Sequence, residues 1–149
     1  MTDLRLPPDA IGGRPNCGLV AMAVVANVSL SDATEAYQKA CKEITGRRMQ
    51  GNWRGRTYDN IRNRAFKHLG VSLHRFPIHG MTLKKLIHCI NIAPNDTTYL
   101  ITTTQHIQVV RGYTVIDQGG PCHIDQYWGR RKRVRDVLIA DTGDSNETK

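Results

Sequence analysis

The chain has 149 residues, 40% hydrophobic and 23% charged, with a formal net charge of +8. That length and balance fit one compact domain with a real core, and the absence of any run of about 18 apolar residues excludes a transmembrane helix. The positive charge makes an acidic partner plausible, which is a statement about association and not about fold.

Residues 1–15 read as an extended lead-in, with Gly12 and Gly13 making it flexible and Pro15 arguing against helix before it. An acid, two prolines and no apolar core segment set "MTDLRLPPDAIGG" apart from a signal peptide, so an intracellular, cytoplasmic protein is expected. From Cys17 to about Ala26 the chain is apolar on nearly all sides, the pattern of a helix through the core. "SLSDATEAYQKACKEIT" follows, with Ser31 as the expected N-cap, Asp32 and Glu35 in the first turn, and Gly46 closing the helix. "GRRMQGNWRGRT" is a basic, glycine-rich loop. Thr57 is the expected cap of "YDNIRNRAFKHLG", with Gly70 at its end. "VSLHRFP" reads as a short strand and "MTLKKLIHCINI" as a helix capped by Thr82. Cys41 and Cys89 fall on apolar helix faces and are expected to fill core. Beyond this point the segments are short and β-branched: "TTYLITTT", "HIQVV", "YTVID" and "RVRDVLIA". Helices followed by an antiparallel sheet give an α+β order, as one domain over 1–140 with a polar, disordered tail over 141–149.

Four cysteines, Cys17, Cys41, Cys89 and Cys122, are widely spaced, which supports neither a zinc ribbon nor a disulfide framework. The adjacent pair Cys122 and His123 lacks further ligands at metal-binding spacing, so no metal and no cofactor is expected. Cys17 differs from the other thiols because it opens a helix. There the unpaired N–H groups and the positive end of the dipole favour thiolate over thiol. A thiolate nucleophile needs a base and a group that fixes the base's tautomer. Of six histidines, His106 opens a strand that turns back after a few residues. If Arg111 and Gly112 form the loop, His106 pairs with Asp117 across the hairpin, within hydrogen-bonding reach.

"NCGLVAMAVV" followed downstream by "HIQVVRGYTVID" resembles the papain-like cysteine peptidase superfamily, and within it the compact branch that includes bacteriocin-leader-processing peptidases. The resemblance spans roughly residues 16–117 and implies a papain-like fold, with Cys17 as nucleophile, His106 as base and Asp117 as the orienting residue. It implies a polypeptide substrate or a host protein as partner. One position departs from the pattern: the glutamine that usually precedes the cysteine by about six residues is Ile11 here. Asn16 and the Cys17 backbone N–H are the replacement donors for the oxyanion. The alternative is a catalytically weak papain-like scaffold that acts by binding. Small size and basic charge also resemble small phage-encoded proteins, which implies the host cytoplasm as location.

The strongest charge run is "GRRKRVRD", holding Arg130, Arg131, Lys132, Arg133 and Arg135. On a strand, Arg131, Arg133 and Arg135 share one face, either as a guarded sheet edge or as a phosphate-binding patch together with Arg47, Arg48, Arg54 and Arg56. No zinc finger, RNP motif or helix-turn-helix accompanies it, so any nucleic-acid binding is expected to be weak and sequence-indifferent. Trp53 and Trp128 lie in glycine- and arginine-rich loops, where they either pack over a cleft or anchor the loop.

Overall fold

A computed structural model describes residues 4–11, 16–47, 57–92 and 96–141. Four α-helices, α1 (Cys17–Ala26), α2 (Leu30–Thr45), α3 (Asp59–His68) and α4 (Leu83–Ile90), accompany six strands: β1 (Ser72–Arg75), β2 (Thr98–Thr103), β3 (His106–Arg111), β4 (Thr114–Asp117), β5 (Gly120–His123) and β6 (Val134–Asp141). The strands form one antiparallel sheet in the order β1-β6-β2-β3-β4-β5. The fold is thus α+β, as the sequence order predicts.

Alternation along the strands gives the sheet two buried faces. Leu100, Ile107, Val109 and Ile116 pack against α1, α2 and α3. Tyr99, Ile101, Val110 and Val115 face the other way, onto Leu83, Leu86 and Ile87 of α4 and onto Ile124 and Tyr127. α1 is buried from Gly18 to Val25, which is why it carries no polar face. Among the described residues no single helix is long and apolar enough to cross a membrane. α1 and α2 together reach that length and composition, but they are bent by 108° and α1 is the core helix of the molecule.

Several local expectations are corrected. Residues 4–11 are more than a lead-in: Leu4 and Ala10 are buried, and Asp9, in a 3-10 turn, accepts from the backbone N–H groups of Leu30 (2.8 Å) and Ser31 (2.9 Å). The N-cap of α2 is Ser29, whose hydroxyl accepts from Asp32 N–H, and not Ser31. Thr57 does not cap α3; Tyr58 holds that position without a side-chain bond. Cys41 is buried but Cys89 is exposed. On the short α4 the residues Leu83, Leu86, Ile87 and Ile90 take the inward stripe, and Cys89 lies off it. β5, "GPCH", is a strand the sequence pattern does not announce. β6 runs through Asp141, so the first residue of the expected tail belongs to the sheet, and 142–149 lie outside the described residues.

Candidate functional site

Asn16 sets the site at the start of α1. Its side-chain oxygen accepts from Gly18 N–H (2.9 Å) and Leu19 N–H (3.4 Å), and its backbone carbonyl accepts from Val20 N–H (3.0 Å). The Cys17 N–H takes no part in this cap. With the carbonyl end of the Asn16 side chain engaged, only its amide Nδ2 end can serve the expected role of oxyanion donor. Glycine follows the cysteine for a steric reason: a Cβ at Gly18 would stand 2.0 Å from Thr57 Oγ1. Thr57 in turn accepts, through Oγ1 and its carbonyl, from the buried guanidinium of Arg62, which also pairs with Asp59. This chain of contacts fixes α3 against the first turn of α1.

The thiol meets the sheet at the beginning of β3. Cys17 is half-buried and shares the cleft wall with His106 and Ile107, where the imidazole and the Ile107 backbone N–H favour its thiolate. On its other side His106 Nε2 lies 3.0 Å from Asp117 Oδ2, so Cys17, His106 and Asp117 form one connected row. The expected pairing of the hairpin is off by two residues. Gly112 and Tyr113 form the turn, Arg111 pairs with Thr114, and the register extended from Val109↔Ile116 sets Asp117 opposite Gln108. An even slip keeps side chains on the same face, so His106 still reaches Asp117 along the diagonal.

Asp117 accepts three further hydrogen bonds: Tyr127 Oη at 2.8 Å and Trp128 Nε1 at 2.9 Å, both on Oδ2, and Gly119 N–H at 2.8 Å on Oδ1. The Tyr127 hydroxyl is also 3.2 Å from Gln108 Oε1, and Gln108, wholly buried, donates to the Ile101 carbonyl. The Trp128 ring lies 4.9 Å from the His106 ring, centroid to centroid, and Lys132 Nζ lies 4.9 Å from its centroid. Trp128 is anchored through its bond to Asp117 and packs on His106, which lines the cleft, so the two readings open for it are not separated. Trp53 lies outside the described residues.

Electrostatics follow this geometry. Burial pushes the Cys17 thiol up, but the His106 hydrogen bond and charge, the Ile107 N–H and the Arg62 cation outweigh it, and its pKa is lowered. Burial likewise opposes the imidazolium, yet the bonds to Asp117 and Cys17 raise His106 to about 9. Asp117 is pushed up by burial, but the bonds from His106, Trp128, Gly119 and Tyr127 hold it well below the usual carboxylate range. Burial and the adjacent carboxylate keep the Tyr127 hydroxyl protonated. Each group of the row is therefore shifted toward its charged form.

Cys17 and His106 open into a cleft of about 780 Å³, walled by Asn16, Thr57, Arg62, Thr102, Thr104 and Arg135 among others. Of the other five histidines, His68 meets Glu43 (2.6 Å), His88 meets Asp125 (3.3 Å), His123 stacks on Tyr113, and His74 and His79 are exposed. The basic run does not form the expected shared face. Arg131 and Lys132 lie in a turn before β6, and an extra residue in β6 interrupts alternation. Arg130, Lys132 and Arg133 donate to the carbonyls of Tyr127, Thr104 and Gly80. Arg48, Arg54 and Arg56 lie outside the described residues. Tyr127, Gln108 and Arg62 are site residues that sequence reasoning missed. A glutamine inside an apolar strand was the one available signal. No family model, no curated protein and no solved structure matches this chain.

Proposed function

We propose that this protein is a cysteine hydrolase of amide-type bonds on a papain-like arrangement of helix and sheet. The observation that carries the reading is the connected row Cys17–His106–Asp117 at the mouth of a cleft, with the carboxylate held by four donors. A carboxylate so held cannot swing away, and it fixes which imidazole nitrogen carries the proton. Cys17 Sγ attacks the substrate carbonyl, forming the S–C bond and pushing the electron pair onto oxygen. The Cys17 N–H, with Asn16 Nδ2, stabilises that oxyanion. His106 gives its proton to the leaving amine as the C–N bond breaks, then takes one from the water that hydrolyses the thioester. The alternative, a scaffold acting through its basic run, finds less support, because three of the five cations are already engaged by carbonyls.

An activated acyl ester tests this without knowledge of the natural substrate. With p-nitrophenyl acetate, a burst of nitrophenolate and an acetyl group on Cys17 by mass spectrometry are expected, both absent in Cys17→Ala. Release that is unchanged in Cys17→Ala overturns the proposal.

A further inference from the structure

The cleft contains a cation, Arg135, that no carboxylate among the described residues pairs with. In β6 the pairing with β2 shifts: Thr103 faces Val134 but Thr102 faces Asp136, so Arg135 is the extra residue of a β-bulge. Bulges re-aim a side chain, and this one sets Arg135 on the cleft wall beside Thr102, Thr103 and Thr104. Its guanidinium makes no hydrogen bond or ion pair among the described residues, while Arg130, Lys132 and Arg133 of the run are held by carbonyls and Arg75 pairs with Asp136. The other cation of the cleft, Arg62, is paired with Asp59. Thr102 and Thr104, on the same wall of the cleft, carry hydroxyl groups.

Distance along the sheet fixes where a ligand group would fall. His106 pairs with Thr103 and Thr103 with Val134, so Arg135 sits two strands away from the imidazole. Two spacings of about 4.8 Å give about 10 Å, or about three residues of extended peptide. We propose that the cleft takes an extended acidic peptide, with an Asp or Glu carboxylate bound at Arg135 about three residues from the bond presented to Cys17. The placement of that bond rests on the hydrolase reading; the carboxylate subsite does not.

The test is protection of Cys17 from iodoacetamide, read by mass spectrometry on the intact protein. Acetyl-hexaglutamate amide, long enough at about 20 Å to cover the cleft, is compared with a neutral Gly-Ser hexapeptide amide. The acidic peptide is expected to slow alkylation by about threefold at low salt, with the effect fading as salt is added. Arg135→Gln should weaken this protection and Arg135→Glu abolish it. Arg131→Glu, the same charge change on an exposed turn outside the cleft, should leave it intact. Equal protection by both peptides, or equal loss in Arg131→Glu and Arg135→Glu, overturns the subsite. The two proposals fail separately. Protection of a thiol that forms no acyl-enzyme sinks the hydrolase reading alone, and an acylating Cys17 that hexaglutamate does not protect sinks the subsite alone.

Discussion

Asp117 is a carboxylate with four donors around it, and the consequences fall on His106. Replacing it by Asn removes the charge that favours imidazolium and puts an amide where an acceptor is needed. In Asp117→Asn the His106 pKa is expected to drop from about 9 toward the ordinary 6.5. Titration of the imidazole signals by NMR reads this, and a value still near 9 contradicts the assignment. Trp128 contributes differently, since its indole N–H binds the carboxylate while its ring covers His106. Trp128→Phe keeps the cover and loses the bond. A drop of about threefold to tenfold in Cys17 alkylation rate is expected, in keeping with about 1 kcal/mol for one such bond. That His106 and Asp117 meet was legible in the sequence because strand alternation has a period of two, so a register wrong by two still put both on one face. Tyr127 was not legible. It lies in a turn after β5, and nothing in the local pattern shows that its hydroxyl reaches β4.

The helix α1 was legible to its ends because an unbroken apolar run bounded by Asn16 and Asn27 admits few other structures. β5 was not, since "GPCH" begins with a glycine and a proline; as the sheet's edge strand it tolerates Pro121. The contact between α1 and the segment before α3 also escaped the sequence, because it joins positions about forty residues apart. It is sharp in its demands. Gly18→Ala forces a methyl into Thr57, and a loss of about 1–3 kcal/mol is expected in urea unfolding, as for overpacked cores. Wild-type stability in that variant contradicts the packing. The turn between β2 and β3 holds the opposite case. Gln105 has φ 59°, a left-handed conformation that Asn adopts more readily. Gln105→Asn is expected to stabilise by about 0.5–1 kcal/mol, part of the cost of that conformation; a destabilised variant would show that Gln105 has a further role.

Acid, base and thiol couple the site to the stability of the whole chain. Asp117 is depressed, so its contribution is present above the ordinary carboxylate value of 3.8 and is lost as pH falls through its lower folded value. His106 is raised, so its contribution is complete below 6.5 and is lost as pH rises through about 9. The gap in thermal midpoint between wild type and Asp117→Asn should therefore be widest between pH 3.8 and 6.5 and narrow on either side. A gap that keeps one width from acid to alkaline pH contradicts the ion pair. The net charge of +8, legible at once, bears on association with acidic partners, whereas which cations remain unengaged depended on the turn and bulge around β6.

All of this converges on the state of one thiol. Iodoacetamide alkylation of Cys17, followed across pH by peptide mass spectrometry in wild type and in His106→Ala, measures that state directly. The wild-type profile is expected to rise below the ~8.5 of a free cysteine and to move up toward that value in His106→Ala. A profile that rises at the free-thiol value and is indifferent to His106→Ala would contradict the thiolate–imidazolium pair and leave Cys17 a structural residue.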